Sequence, residues 1–169
     1  MSGSSGRILV VDDDAVARQL LGEALKKDGY EFEIASGGAE AIALGRAKPF
    51  DVVLTDIKMG AVDGLAVLRE FRQRSPETAI VLLTAFGSMD GAVEAIKQGA
   101  YDYLAKPFKK EDIKLVVKRS LEHSRLVREN ARIREELRER KGAPLVGSSP
   151  AILEVYKLVA RVAVLIKPL

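Results

Sequence analysis

Two hydrophobic periods alternate along this chain, and that alternation restricts the fold more than any other feature. Five short runs occur at 7–11, 31–35, 51–55, 79–83 and 101–105, three of them rich in Val, Ile and Leu and the second and fifth mixing apolar or aromatic residues with acids. Runs of this length and composition read as strands, most of them buried. Between them apolar residues recur at helical spacing: Val16, Leu20, Ala24 and Leu25; then Ala39, Ile42, Ala43 and Ala47; then Leu65, Val67, Leu68 and Phe71; then the stretch 89–98. Gly29, Pro49, Ser75-Pro76 and Gly99 supply the stops. Strand and helix in strict alternation, joined by short loops, predict an α/β fold. Its form is a doubly wound five-stranded parallel sheet with helices on both faces.

From Glu111 the pattern changes. Residues 111–141 contain neither Gly nor Pro, and Gly142-Ala143-Pro144 ends the run. A helix this long suggests a coiled coil. One heptad register places Val116, His123, Asn130 and Leu137 at a, with Arg119, Leu126, Ile133 and Arg140 at d. The predicted dimer seam is therefore Val116, His123, Leu126, Asn130, Ile133 and Leu137, with the buried Asn favouring two strands. The competing reading is a solvated helix held by pairs among Arg132, Glu135, Arg138 and Glu139. His123 is the sole histidine, so it cannot form a catalytic or metal-binding pair with another. Met1 to Gly6 has flexible-linker composition and is excluded from the fold.

Charge and composition narrow the function classes. The net charge of +3 resides in 111–141, where basic and acidic residues interleave, so nucleic-acid binding is not expected of this segment. Cysteine is absent, which excludes disulfides and thiolate chemistry and fits a reducing compartment, read here as the cytoplasm. No apolar run approaches the roughly 18 residues of a membrane span, so no membrane partner is expected.

Chemistry-bearing residues fall at the ends of four predicted strands. Asp12 and Asp13 follow the first, Asp56 ends the third, Thr84 the fourth and Lys106 the fifth. In a parallel sheet all four ends lie on one edge, where ligands collect. Three gathered carboxylates repel unless a cation sits among them, and all-oxygen ligation suits Mg²⁺. A carboxylate such as Asp56 can attack phosphorus to give an acyl phosphate. Lys106 would stabilise the transferring charge, and the Thr84 hydroxyl could donate to a phosphate oxygen. Asp14 is expected to cap the following helix.

The segments Ile8-Leu9-Val10-Val11-Asp12-Asp13-Asp14, Asp51-Val52-Val53-Leu54-Thr55-Asp56, Asp63-Gly64, Leu83-Thr84-Ala85 and Tyr103-Leu104-Ala105-Lys106-Pro107-Phe108 resemble the receiver domain of bacterial two-component response regulators. The likeness covers 7–125 and implies the flavodoxin-like, CheY-like topology. It implies that Asp56 accepts phosphate from a sensor histidine kinase, and that Asp12, Asp13, Asp56 and the Lys58 backbone carbonyl hold Mg²⁺. It further implies that Thr84 and Lys106 bind the phosphate, that Tyr103 moves on activation, and that the Lys106–Pro107 bond is cis. The stretch Met59-Gly60-Ala61-Val62 departs from the family pattern, which often carries Pro where Gly60 stands. The three consecutive aspartates leave a one-residue register question. Asp12 and Asp13 are preferred because they directly follow the strand, with Arg18 five residues after Asp13.

Leu145-Val146-Gly147-Ser148-Ser149-Pro150-Ala151-Ile152 is similar to the entry of the AAA+ ATPase domain of sigma-54-dependent transcriptional activators. Residues 142–169 are thus expected to be the truncated start of that domain, after a linker helix that dimerises. No P-loop signature is present, so this chain is expected to be a signalling module and not an enzyme. The whole protein would act as a homodimer with DNA and sigma-54 RNA polymerase. Two alternatives fit the residues less well. An aspartyl-phosphate phosphatase would want a second Asp at position 58, which is Lys. A receiver-like module that is never phosphorylated would not need the acids, Thr84 and Lys106 together.

Overall fold

The computed structural model describes residues 6–85 and 89–142. Among the described residues ten elements alternate: β1 (Arg7–Val11), α1 (Ala15–Lys27), β2 (Glu31–Ala35), α2 (Gly38–Ala47), β3 (Val52–Asp56), α3 (Gly64–Arg74), β4 (Ala79–Ala85), α4 (Met89–Lys97), β5 (Asp102–Lys106) and α5 (Lys110–Gly142). The strands form one parallel sheet in the order β2-β1-β3-β4-β5. Each expected strand and helix is present, with ends shifted by a residue or two.

The strand period of two divides the core into layers. Ile8 and Val10 of β1, Val52 and Leu54 of β3, and Val81 and Leu83 of β4 point to one face. There they meet Leu21 and Leu25 of α1 and Ile113, Val116 and Val117 of α5. Leu9, Val11, Val53, Ile80 and Leu82 point to the other, against Ala41 of α2, Val67, Leu68 and Phe71 of α3, and Ala95 of α4. Both faces of β1, β3 and β4 are covered, which is why these runs are apolar throughout instead of alternating.

Local signals account for the helix ends. The Asp14 side chain accepts from the Val16 amide at 2.9 Å, and that of Asp63 from the Ala66 amide at 2.8 Å, so each caps its helix. Gly29 closes α1 with φ +77°, a left-handed conformation that side chains with a Cβ rarely adopt. Val16, expected on the apolar stripe of α1, is 75% exposed. It lies in the first turn of α1, beside Pro107 and Phe108 instead of over the sheet.

Two expectations change. Gly6, set aside with the flexible start, is buried, in a position where a Cβ would overlap Leu121. The proposed seam also starts too early. Val116 belongs to the core beneath α5, and the His123 ring stacks on Tyr101 with centroids 4.4 Å apart. The first turns of α5 lie on the sheet, where helical periodicity buries Val116, Val117, Ser120 and Ser124. A heptad pattern begun at 116 therefore assigns a sheet-facing position, Val116, to a partner. Leu126, Ile133 and Leu137, in contrast, are about half exposed, and Asn130 is exposed. Residues up to Asn130 form one compact unit, and a second begins at Ala131. In that second unit Arg132–Glu136 and Arg138–Glu135 pair along the helix at 3.3 and 3.9 Å. The expected ATPase start lies outside the described residues, apart from the helix end at 142.

Candidate functional site

Strand order determines where the acids meet. From β1 the chain moves outward to β2, then returns across to β3 and on to β4 and β5. The β1/β3 boundary is the topological switch point, and the crevice beyond it is the expected ligand site of such sheets. Val11 pairs with Thr55, so the next residues, Asp12 and Asp56, stand side by side there. Asp56 pairs with Leu83, one position before Thr84, and Ala85 pairs with Lys106.

Lys106 ties the edge together. Its Nζ lies 2.7 Å from Asp12 Oδ2 and 3.3 Å from Asp56 Oδ1, linking residues 94 positions apart. Asp12 is fully buried, and its Oδ1 accepts the Asp14 amide at 2.9 Å. Asp56 is also buried, whereas Asp13 is exposed. Burial pushes the Asp56 carboxyl above its ordinary range; the Lys106 ammonium opposes this, and the Asp12 and Asp13 charges add to it. For Lys106, burial favours the neutral form. The hydrogen bond to Asp12 and the Asp12 and Asp56 charges outweigh it, and its pKa is raised.

Oxygens of Asp12, Asp13 and Asp56 can lie within 4.8 Å of one another. Three carboxylates against one ammonium leave excess negative charge in a partly buried place, and hard oxygen donors fit Mg²⁺. The donor set therefore suits the metal that the resemblance implies. The loop after Asp56 is held close: Ile57 donates to the Leu83 carbonyl at 3.1 Å, and Gly64 to the Ile57 carbonyl at 3.0 Å. A Cβ at residue 64 would overlap the Asp56 carbonyl oxygen, so only glycine fits.

Thr84 is buried at the end of β4, with its hydroxyl donating to the Ala85 carbonyl at 3.3 Å. Tyr103 is 42% exposed on β5, and its amide donates to Asp102 Oδ1. The Lys58 side chain is exposed. The Lys106–Pro107 peptide is cis. Among the seam residues, Leu126, Asn130, Ile133 and Leu137 are remote in sequence from this edge and belong to α5 alone.

Two contributors were given no role from the sequence. The Arg18 guanidinium donates to the Asp12 backbone carbonyl at 2.7 Å. A signal existed: side chains on a helix lean toward its N-terminus, so an Arg four residues after the cap can reach back to the strand end. Asp51 is the second. It accepts the Arg7 amide at 2.8 Å and Arg128 at 2.5 Å, joining the opposite edge of the sheet to α5.

Residues 8–118 match the response regulator receiver domain family. The transcriptional regulatory protein ZraR of Klebsiella oxytoca is 37% identical over 163 residues, covering 96% of this chain and 36% of that protein. The DNA-binding transcriptional regulator NtrC of Escherichia coli K12 is 34% identical over 158 residues, covering 94% and 33% respectively. The chain thus spans about a third of the length of the curated relatives it matches. Among solved structures, the receiver domain of NtrX from Brucella abortus superposes with a TM-score of 0.66 at 38% identity, covering 68% of this chain and 98% of that one. A longer NtrX structure from the same organism gives 0.72 at 37% identity, covering 94% of this chain and 35% of that one. The sheet order, the acid-and-lysine edge and these likenesses agree: the chain belongs to the response regulator receiver domain family.

Proposed function

We propose that Asp56 is the phosphate acceptor of a two-component relay, and that its acylation alters what α5 and the residues after it can bind. The observation that carries this reading is Lys106 bridging Asp12 and Asp56 at the switch-point edge. An Asp56 oxygen attacks phosphorus in a phosphohistidine of the sensor kinase. The P–N bond breaks, its electron pair stays with the imidazole, which takes up a proton, and an acyl phosphate remains on Asp56. Lys106 is close enough to neutralise charge on the transferring group, and Thr84, at the end of the neighbouring strand, can donate to a phosphate oxygen. Asp12, Asp13, Asp56 and the Lys58 carbonyl would hold Mg²⁺. When bound, that ion supplies positive charge to the phosphoryl oxygens.

The new charge at Asp56 draws Thr84 inward and Tyr103 after it, which changes the β4–β5 surface next to α5. Leu126, Asn130, Ile133 and Leu137 form the seam of a homodimer in the linker helix. The whole protein is a cytoplasmic sigma-54-dependent activator that binds DNA and RNA polymerase, with this part acting as its non-enzymatic input. The likeness to the transcriptional regulators ZraR and NtrC supports that output. Intact-mass measurement after incubation with Mg²⁺ and acetyl phosphate tests the acceptor. Wild type is expected to gain one phosphate and Asp56→Asn none. A gain that survives Asp56→Asn refutes the assignment.

A further inference from the structure

Arg18 is a charged residue of the site edge that the phosphotransfer scheme leaves without a task. We propose that Arg18 is a positioning residue, holding the Asp12–Asp13 peptide so that the otherwise untethered Asp13 carboxylate faces the metal position. This rests on the reading of Asp12, Asp13 and Asp56 as a Mg²⁺ site.

The two acids are held differently. Every polar group of Asp12 has a partner. Its amide donates to the Ala35 carbonyl at 3.3 Å, its Oδ1 accepts the Asp14 amide, its Oδ2 accepts Lys106, and its carbonyl accepts Arg18. Asp13 is exposed, and among the described residues nothing hydrogen-bonds or ion-pairs with its carboxylate. Yet one of its oxygens is among those within 4.8 Å of Asp12 and Asp56. That placement depends on the backbone.

The peptide unit is planar, so an anchor on the Asp12 carbonyl also sets the Asp13 amide and the direction in which its Cα leaves. The Arg18 anchor is short, 2.7 Å, and partly buried. Helix α1 makes it possible. The Arg18 amide donates to the Asp14 carbonyl at 3.1 Å, within the turn that Asp14 caps, and from there the side chain leans back toward the strand end. A planar guanidinium suits this task, since it stays charged and offers several donors in a fixed fork. Without it the carbonyl would turn to water and the peptide could rock. Asp13 would then spend less time in the ligating position. Groups that orient ligands in this way typically change metal affinity by about 10–100-fold when removed. Because Arg18 acts on only one of three ligands, the low end is expected.

The test is a ¹H–¹⁵N chemical-shift titration of the full chain with MgCl₂. Wild type is compared with Arg18→Ala, Arg18→Lys, Asp13→Asn and the Arg18→Ala/Asp13→Asn double variant, and a metal-free melt of each checks that the fold is kept. Arg18→Ala should weaken Mg²⁺ binding about tenfold, with Arg18→Lys recovering part of the loss. Asp13→Asn should weaken it at least as much. The double variant should bind no worse than Asp13→Asn within about twofold, since Arg18 works through Asp13. Wild-type affinity in Arg18→Ala beside a weakened Asp13→Asn overturns the role of Arg18 and leaves the metal site standing. Fully additive losses also overturn it. If Asp13→Asn binds as wild type does, the Asp13 ligand assignment falls and the role of Arg18 falls with it.

Discussion

Replacing Asp56 by Asn should make the metal-free protein more stable, although it removes the residue on which the site depends. The cause is charge crowding. Asp12 and Asp13 each place an oxygen within 4.8 Å of an Asp56 oxygen, while the Lys106 ammonium is 3.3 Å away. At an effective dielectric of about 20, each repulsion amounts to about 3.5 kcal/mol and the attraction to about 5 kcal/mol. Two repulsions exceed one attraction by about 2 kcal/mol, and burial of the carboxylate adds to that cost. Solvent around exposed Asp13 screens part of it, which leaves about 1–2 kcal/mol. Asn has nearly the same shape and no charge, and Lys106 keeps its 2.7 Å bond to Asp12, so no buried cation is stranded.

The assay is thermal unfolding in EDTA followed by circular dichroism, with Asp56→Asn expected to melt roughly 3–6 °C higher. Because the folded pKa of Asp56 is raised, its ionisation costs stability at neutral pH, and the cost fades as pH falls through that pKa. The gap between variant and wild type should therefore narrow on acidification. Added Mg²⁺ should stabilise wild type more than the variant. An Asp56→Asn protein no more stable than wild type in EDTA at neutral pH would refute the charge reasoning, as would a gap that widens in acid.

Lys106→Ala should act in the opposite direction. It leaves fully buried Asp12 without the donor to Oδ2, and urea unfolding should show a loss of about 2–4 kcal/mol. At the far end of the sheet, Asp51→Ala should cost about 1–2 kcal/mol, because the Arg7 amide loses a charged acceptor. Arg128→Ala, removing the half-exposed partner of the same carboxylate, should cost less than about 1 kcal/mol, and urea midpoints distinguish the two. Leu126→Glu should leave the receiver fold intact by circular dichroism while shifting a dimer toward monomer in sedimentation. An unchanged oligomeric state would remove Leu126 from the seam.

The strands and helices were legible because their signals are local. Ile8 to Val11 and Val52 to Leu54 are apolar throughout because both faces of their strands are covered, and that pattern needs no partner to be read. Asp14 caps its helix, as expected, through a bond to the amide two residues on. The gathering of Asp12, Asp56, Thr84 and Lys106 on one edge followed from parallel topology alone, since every strand then ends on the same side.

How those residues divide the work depends on contacts that form when distant elements pack together. Sequence treats Asp12 and Asp13 as equivalent neighbours, yet one is buried with every polar group bonded and the other is exposed. The difference arises from Lys106 reaching across from β5 and Arg18 reaching back from α1. The same limit explains the seam. A helix carries its 3.6-residue period whether its apolar side meets a sheet or a second helix. Val116 therefore looked like a dimer contact until the fold placed it in the core under α5. Periodicity records which residues avoid water. The choice of surface that shields them depends on contacts between distant parts of the chain, and those exist only once the chain has folded.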